Sequence, residues 1–324
     1  MTYSPVSLRQ AARRHRPLML VAVTMVALAV VSLVGLAVDD RTLAGVPVWL
    51  KPFKFAVSFL VYAVTLAWMI SLTRRGRRVA WWAGAVVAAS GFVEVGLIAA
   101  QAARGRQSHF NVATPLDTTI FLLMALLIAV LYTATVVFAV VLAIQRMPDR
   151  AIAWTLRLGL LIALVGMGLG YLMVLPTPAQ EAADAVTLVG AHSVGVPDGG
   201  PGMPLTGWST TGGDLRIPHF VGMHALQALP LFTIALGALA GRLPRLRDGR
   251  VRLRLTVVAA TAYAGLVAIV TWQALRGQPL IHPDGTTLTA AGLLAAATAA
   301  GALLALRRPA PAPSLPDDRS EVHA

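Results

Sequence analysis

Cysteine is absent from this sequence and charged residues are scarce. Its 324 residues include no cysteine, which excludes disulfides, thiolate metal sites and cysteine nucleophiles. Charged side chains make up only 13% of the chain and hydrophobic ones 57%, with a mean hydropathy of +0.71. The phosphate-binding P-loop and the motifs H-E-x-x-H and G-x-S-x-G are also missing. These features exclude a soluble globular enzyme, a disordered chain and a nucleic-acid-binding module.

What the sequence has instead is a series of eight long apolar segments. About twenty apolar residues are enough to cross the hydrocarbon core of a membrane as a helix. The first segment is longer than the apolar part of a signal peptide and no convincing cleavage site follows it, so we interpret it as a retained helix. The sequence therefore predicts an all-α, polytopic membrane protein with eight transmembrane helices. The segments cover residues 17–38, 55–72, 79–101, 115–144, 151–175, 218–240, 254–274 and 286–306.

Basic residues are divided unequally between the two sides of these segments. Nineteen lie on the side of the two termini and seven on the other side. Because cytoplasmic loops carry the excess of Lys and Arg, both termini are predicted to lie on the cytoplasmic side of the cell's inner (cytoplasmic) membrane. The formal net charge of +13 is thus explained by topology. The predicted partner is the lipid bilayer, with no nucleic acid.

A short internal similarity predicts that the chain consists of two related halves. Gln-Ala, Arg-Gly, Gln, His, Pro, Asp and Thr-Thr recur in this order in residues 101–119 and 273–287. Since four crossings separate the copies, we expect two parallel four-helix halves related by an axis along the membrane normal; a chance match of turn residues is the alternative. The predicted organisation is a cytoplasmic segment 1–16, a first half 17–144, a second half 145–306 with an outer loop 176–217, and a disordered cytoplasmic tail 307–324.

The outer loop 176–217 is the one long extramembrane connection in this organisation. It is dense in Gly, Pro and Thr, which predicts irregular structure. It also contains Trp208 and few charges, which is unusual for a linker. We expect either a compact lid over the outer face of the bundle or a mobile loop.

Scarce residue types gather near the predicted outer boundary of the membrane. The chain has 25 arginines but two lysines, which lie together in W-L-K-P-F-K-F, and its one asparagine lies in S-H-F-N. Residues used against such a compositional bias indicate a function, here the binding of an unidentified lipophilic or anionic small molecule. The predicted ligand-binding residues are Lys51, Lys54, Gln101, Arg104, His109, Asn111, Arg216, His219 and Gln227.

Glu94 and His224 are the predicted catalytic residues. Glu94 lies about two turns inside the third segment, and an ionisable residue at that depth is a functional hypothesis by default. Phe220, His224 and Gln227 share one face of the sixth segment because they are spaced four and three apart. Counting ~1.5 Å per residue from the segment ends places Glu94 and His224 at a similar depth, so we expect them to face one another across an outward-opening pocket.

Several polar or small residues also have purely structural interpretations. Lys51 and Lys54 could extend to lipid headgroups. Thr114, Pro115 and Asp117 are typical of a helix start, as is Asp284 at the eighth segment. We expect His15, His192 and His323 to be solvated, and the cluster of Gly166, Gly168 and Gly170 to serve close helix packing.

The chain resembles two groups of membrane proteins. W-L-K-P-F-K-F, R-G-R-Q-S-H-F-N and G-G-D-L-R-I-P-H-F-V-G-M-H-A-L-Q look like a family of uncharacterised bacterial multi-pass membrane proteins, over residues 45–240. The layout of two four-helix halves with histidines on the outer side is similar to that of haem A synthase. That resemblance implies haem held by histidines within even-numbered segments, whereas here segment two has none and His109 and His282 precede their helices.

Three classes of function remain open at this point. The first is a membrane oxidoreductase or cofactor-processing protein, and the second is a small-molecule or proton-coupled transporter. The third is a receptor or assembly factor without catalysis. The cofactor is left open, with haem or a metal as candidates, but no residue is predicted as a metal ligand.

The topology predicts the outcome of two reporter fusions. A reporter enzyme that works only in the cytoplasm should be active when fused after Ala324 and inactive when inserted near Gly200, as measured by its activity in intact cells. The opposite result at either position would refute the eight-segment topology.

Overall fold

The computed structural model describes residues 15–307, and within them eight helices are long and apolar enough to cross a membrane. This confirms the prediction of an all-α, multi-pass membrane protein. Residues 1–14 and 308–324, which hold most of the predicted terminal segments and His323, lie outside the described residues. The long helices are α1 Arg16–Val38, α2 Leu50–Ser71, α3 Arg77–Ala103, α4 Pro115–Ala143, α5 Arg150–Leu169, α7 Arg216–Leu239, α8 Gly249–Leu275 and α9 Gly285–Leu306.

The connections fall on two faces of the bundle. We call the face formed by residues 39–49, 104–114, 170–215 and 276–284 the loop face, and the opposite one the termini face. The connections of the loop face touch one another. Arg41 donates to the carbonyl of Ala103 at 3.1 Å, and Asn111 pairs with Leu188 as an isolated β-bridge. The loop face also contains short elements: β1 Thr42–Leu43, β2 Val46–Pro47, a 3₁₀ turn Gly170–Val174, α6 Pro178–Glu181, β3 Ser193–Val194 and β4 Gly213–Asp214.

One difference from the predicted boundaries that bears on the site is at the start of α2. The helix begins at Leu50, five residues before the predicted segment, because the apolar run was read from beyond the charged stretch K-P-F-K. Pro52 is compatible with this start, since the first turn of a helix has no use for its backbone N–H. Lys51 and Lys54 therefore lie within the first turns of α2 rather than before it.

The helices pack in the same pattern within each set of four. In the first set α1 packs against α2, α3 against α4, and α3 also contacts α1 and α2. In the second set α5 packs against α7, α8 against α9, and α8 also contacts α5 and α7. Contacts of α4 with α5 and of α2 with α7 join the two sets. This pattern supports the proposed pair of four-helix halves.

The loops that follow α3 and α8 have matching local structure. The side chain of Gln101 donates to the carbonyl of Gln107, and that of Gln273 donates to the carbonyl of Pro279, in each case six residues ahead. Gly105 and Gly277 both have positive φ, at 66° and 70°. Two ion pairs also correspond, each joining an arginine after the helix to an aspartate at the start of the next one: Arg104–Asp117 and Arg276–Asp284. These matches support the internal repeat, which stays a prediction until the halves are superposed.

Helix capping accounts for part of this likeness. The hydroxyl of Thr114 accepts from the backbone N–H of Asp117 at the start of α4, and the carboxylate of Asp284 accepts from the N–H of Thr287 at the start of α9. Both satisfy donors that a helix start leaves free. The capping interpretation of these residues is thus confirmed, and Asp117 makes further contacts described below.

Small residues line the closest helix contacts, as expected where lipid outside is as apolar as the protein. Gly166 of α5 lies against the backbone of Gly222 of α7, so closely that a Cβ on Gly166 would be 2.5 Å from the carbonyl carbon of Gly222. Gly170 likewise lies against the ring of His219, whereas Gly168 has only the hydroxyl of Tyr132 near it, at 3.9 Å. The predicted packing role therefore holds for two of the three glycines.

His15 is not solvated, so that prediction was wrong. Its side chain is fully buried at the start of α1, where Nδ1 accepts from the N–H of Leu18 and Nε2 lies 2.9 Å from the carbonyl oxygen of Trp81. This contact could not be predicted from the sequence because Trp81 lies on α3, 66 residues away.

The glycine contacts predict a sharp contrast between two substitutions. Gly166→Ala should lower the melting temperature in detergent, because the added methyl meets the α7 backbone and overpacking typically costs ~1–3 kcal/mol. Gly168→Ala is the matched control in the same helix and should not lower it, since the site is open and alanine favours helix. Equal melting temperatures of the two variants would show that α5 and α7 are not in close contact.

Candidate functional site

A buried carboxyl group without a hydrogen-bond partner marks the site. Glu94 of α3 is 3% exposed, and neither of its carboxyl oxygens has a hydrogen-bond partner. It lies nine residues before the helix end at Ala103, roughly 14 Å along the axis at ~1.5 Å per residue. A carboxylate buried without partners costs several kcal/mol, so this group requires a counterion, a proton or a ligand.

His109 is the residue that reaches Glu94 from the loop face. Its Nε2 lies 3.5 Å from Oε1 of Glu94. On the other side of the ring, Nδ1 lies 3.2 Å from Nζ of Lys51 and 3.0 Å from Oγ of Ser108. An ammonium group can only donate, so next to a charged Lys51 the Nδ1 atom accepts and Nε2 carries the proton that faces Glu94.

The backbone next to His109 is strained. Phe110 has φ 66°, which is rare for a bulky residue. Its ring is buried against Phe121 and the ring of His192, and its carbonyl accepts from the N–H of Val189 at 2.8 Å. Such a conformation persists only where the surroundings hold it, and here it directs the loop after α3 over the bundle.

Aromatic rings form an apolar wall beside these polar groups. Phe55 of α2 lies 6.1 Å from the ring of His109 and meets the ring of Phe220 of α7 edge-on at 6.4 Å. Nζ of Lys51 lies 5.8 Å from the centre of the Phe55 ring. The site is therefore both cationic and apolar, and the contact of Phe55 with Phe220 places it between the two sets of four helices.

Basic residues occupy the first turns of both helices at this junction. Lys51 and Lys54 lie at the start of α2, and Arg216 and His219 lie at the start of α7. Arg216 pairs with the buried carboxylate of Asp214 at 2.6 Å. Nδ1 of His219 lies 2.8 Å from the carbonyl of Gly166, so this ring also contributes to the contact between α5 and α7.

Residues 176–215 form a compact lid over the site rather than an extended linker. Strands β3 and β4 pair within it, and the N–H of Leu215 donates to the carbonyl of His192. Val112 donates to Thr187, which attaches the lid to the loop that carries His109. Of the two alternatives for this loop, the structure shows the lid.

His192 belongs to the site, contrary to the expectation that it is solvated. Its Nδ1 lies 2.9 Å from the carboxylate of Asp198, and its ring packs on Phe110 at 4.9 Å between ring centres. Sequence reasoning missed both His192 and Asp198 because they lie in a Gly- and Pro-rich loop. The one available signal, a histidine six residues before an aspartate in such a loop, is weak.

Three predicted ligand-binding residues make hydrogen bonds at the connection between α3 and α4. Gln101 and Arg104 bond to each other and to the buried Asp117. Asn111 donates to the carbonyl of Gln107 and accepts from the N–H of Ala113. These side chains hold the loop between α3 and α4, and through it the position of His109.

Within the described residues, His109 is the basic side chain that lies within 4 Å of a Glu94 carboxyl oxygen, at 3.5 Å. His224 lies 3.3 Å from the side-chain oxygen of Gln227 on the same face of α7, as the spacing predicted. The arrangement of Glu94 and His224 across one pocket stays a prediction. Depth along a helix was the basis of the prediction, and depth alone could not show that a loop residue reaches the carboxyl group first.

Two histidines of the loop face, His109 and His192, have lowered pKa values. Burial lowers the pKa of His109 well below its usual range, and the neighbouring charges of Lys51, His192 and His219 lower it further. The pKa of His192 is also lowered by burial, although its hydrogen bond to Asp198 opposes this effect. Burial thus favours the neutral form of both rings.

The donor set does not form a ready-made metal site. Within residues 15–307, no three His, Cys, Asp or Glu side chains are grouped so that they could hold a metal ion. The ring nitrogens that face inward are engaged, with Nδ1 of His109 on Lys51, of His192 on Asp198 and of His219 on Gly166. A haem or metal cofactor therefore stays an untested prediction, and we derive no step through one.

Comparison of the chain with protein-family models, with curated proteins and with solved structures found no significant match. The resemblances stated from the sequence therefore remain predictions. What the fold and site define is the class: a multi-pass, all-α integral membrane protein with a lidded polar cluster at one end of the bundle.

The lowered histidine pKa values predict how stability depends on pH. An unfolded histidine titrates near pH ~6.5. Below that pH the unfolded chain binds more protons than the folded one at His15, His109 and His192, so the free energy of unfolding should fall by up to ~1.4 kcal/mol per pH unit for each histidine. Thermal unfolding in detergent should therefore show a melting temperature that falls as the pH is lowered through this range.

His109→Gln should make this decline shallower. His282→Gln, at an exposed position in the loop before α9, is the control and should leave the slope unchanged. If the melting temperature falls with pH as steeply in His109→Gln as in the unaltered protein, His109 is not buried in its neutral form.

Proposed function

We propose that this protein acts on a lipophilic, anionic small molecule at its loop face, with Glu94 and His109 transferring a proton. The observation that carries the proposal is the buried carboxyl group of Glu94, which has no hydrogen-bond partner and faces Nε2 of His109 at 3.5 Å. Burying an ionisable group without partners in a spanning helix costs free energy, and such a residue is a functional hypothesis by default. Perturbed ionisable groups also cluster at functional sites.

The proton chemistry follows from the positions of the three polar groups. A neutral His109 can donate through Nε2 while Lys51 holds Nδ1 as an acceptor. A proton that reaches His109 or Glu94 can pass between them, and Lys51, with Nζ 3.2 Å from Nδ1 of His109, lies beside the pair. A substrate bound at the same place would exchange its proton with this pair as general acid and base.

The surroundings of the pair favour an anion with an apolar body. Lys51 and Lys54 have no carboxylate within ion-pair distance among the described residues, whereas Arg216 already pairs with Asp214. The rings of Phe55, Phe110 and Phe220 supply the apolar wall. Positively charged groups beside an aromatic surface are suited to an amphiphile with a carboxylate or phosphate group.

A membrane oxidoreductase or cofactor-processing enzyme meets this description, with the loop face on the outer side of the bacterial inner membrane. The asymmetric distribution of basic residues supports this orientation. Proton-coupled transport of the same kind of molecule is the second candidate, favoured by the position of Glu94 within a spanning helix.

A binding experiment with matched amphiphiles tests the proposal. In nanodiscs, decanoate should raise the melting temperature and decanol should not, because only decanoate carries the charge; stabilisation reaches ~2.7 kcal/mol at about 100 times the dissociation constant. Lys51→Met should weaken the decanoate effect, because it removes one of the two positive charges at the start of α2. Arg106→Met, at an exposed position on the same face, is the control and should retain it.

The pH dependence of decanoate binding tests the role of Glu94. Binding should vary with pH in the unaltered protein, and Glu94→Gln, which keeps the size of the side chain but cannot titrate, should reduce this variation. Binding of decanol as strongly as decanoate, or an unchanged pH dependence in Glu94→Gln, would contradict the proposal. Decanoate-driven proton uptake into sealed proteoliposomes would decide for transport over one-sided catalysis.

A further inference from the structure

One turn of the lid accepts hydrogen bonds from two basic side chains of the site, Lys54 and Arg216. Nζ of Lys54 donates to the carbonyl oxygen of Thr206 at 2.8 Å, and Nη2 of Arg216 donates to the carbonyl oxygen of Gly207 at 2.6 Å. We call residues 203–208 the plug turn. Its two neighbouring carbonyl oxygens therefore face cations from the first turns of α2 and α7 at the same time.

Lys54 and Arg216 lie in the first turns of their helices, where basic side chains are unfavourable. The start of a helix carries a partial positive charge, which favours acidic residues and disfavours basic ones. At the start of α7 the buried carboxylate of Asp214 accepts from the backbone N–H of Arg216 and pairs with its guanidinium, whereas the start of α2 has no acidic residue in its first turn and no side-chain cap. The two helix starts lie side by side, as the contact of Phe55 with Phe220 shows. Lys54 and Arg216 together therefore carry one positive charge more than Asp214 balances, and the neutral carbonyl oxygens of the plug turn compensate it incompletely.

The plug turn is built as a separate unit. Its other hydrogen bonds run within the turn, from Met203 to Trp208, from Gly207 to Met203 and from Thr206 to Pro204. Within the described residues, only Lys54 and Arg216 link residues 203–208 to the long helices by hydrogen bonds. The turn also contains two residues of positive φ, Leu205 at 63° and Gly207 at 66°, and Leu205 is 80% exposed. Loss of the two cation contacts would thus free the turn without breaking its internal bonds.

We propose that Lys54 and Arg216 form the subsite for the oxyanion of the ligand, a phosphate or carboxylate group, and that the carbonyl oxygens of Thr206 and Gly207 stand in for two oxygens of that group until it binds. This deepens the proposed function, on which it rests, by assigning the anionic end of the ligand to these two side chains. When the anion binds, Lys54 and Arg216 exchange two neutral carbonyl oxygens for two oxygens of a charged group. Hydrogen bonds to a charged acceptor are stronger than those to a neutral one. The plug turn leaves its position as the anion enters, so the subsite opens toward the loop face.

A single label on the plug turn tests this exchange. The chain has no cysteine, so Leu205→Cys gives one exposed thiol for a spin label. The protein is reconstituted in nanodiscs of phosphatidylcholine, with the ionic strength held constant by chloride. Inorganic phosphate at about 100 times its dissociation constant should then raise the ratio of mobile to immobile label by up to ~100-fold. Nanodiscs that contain phosphatidate, without free phosphate, show whether a lipid headgroup serves as the source of the same oxyanion.

Matched variants make the outcome decisive. Lys54→Met in the Leu205→Cys background should give a label that is already mobile and does not respond to phosphate. A label at Ala183→Cys, an exposed lid position outside the plug turn, should not respond in any condition. Glu94→Gln should leave the response intact, so a failure of the proton chemistry is distinguishable from a failure of the subsite. An immobile label with both phosphate sources, or an equal response to chloride or in Lys54→Met, would overturn the proposal.

Discussion

Hydrocarbon offers no hydrogen-bond partner to a peptide group, so at membrane depth this chain must satisfy its backbone within helices. Irregular backbone is consequently confined to the two ends of the bundle. The residues of positive φ other than glycine, namely Ala44, Phe110 and Leu205, all lie in connections on the loop face. A loop can turn a side chain inward where a helix cannot, and this is how His109 comes to lie against a carboxyl group of α3. The location of the site at one end of the bundle follows from where the chain is free to bend.

The arrangement of the helices explains why the polar groups converge at one place. If the two halves are copies, the starts of α2 and α7 are equivalent, and an axis between the halves brings equivalent residues together. Phe55 and Phe220 meet edge-on there, each following a pair of basic residues in the first turns of its helix. The two halves then differ in the residues that lie deeper in the bundle. The first half supplies Glu94, while the corresponding position seven residues before Gln273 in α8 is Leu266. A duplicated fold with a single acidic group gives one asymmetric site rather than two.

Much of the fold could be predicted from the sequence because its cause is local. Hydropathy over about twenty residues identifies a spanning helix without knowledge of its neighbours. Helix starts such as Thr114 and Asp284 were also predictable, since capping involves residues three apart in the chain. The start of α2 was missed because its first turn is charged, and the long stems of Lys51 and Lys54 let that turn remain helical near the membrane boundary.

The site was less predictable because its contacts are distant along the chain. Lys54 meets Thr206 across 152 residues, and Lys51 meets His109 across 58. Compositional bias identified Lys51, Lys54 and His109 as unusual, but nothing in their spacing indicated which carboxyl group they approach. His224 has the right depth along α7 and bonds to Gln227, yet the rotation of a helix about its own axis is set by packing that sequence spacing does not contain. His192 was assigned to solvent because polar loops usually are solvated, whereas this loop folds back on the bundle.

The depth of the polar groups bears on the choice between catalysis and transport. A transported molecule needs polar contacts that continue to the other side, usually around helices broken near the midplane. Toward the termini face, the buried residues of α3 beyond Glu94 are alanine, glycine, valine and serine, none of them ionisable. In the second half the buried hydroxyls of Thr155, Thr233 and Thr256 bond to one another, which satisfies them without a ligand. Helix α7 remains continuous through Pro230 to Leu239. The titratable side chains nearer the termini face include Tyr62, whose hydroxyl bonds to Thr135, and His15, whose ring nitrogens bond to backbone atoms of Trp81 and Leu18. Both are engaged within the bundle, which favours the proposed chemistry on one side of the membrane over passage through it.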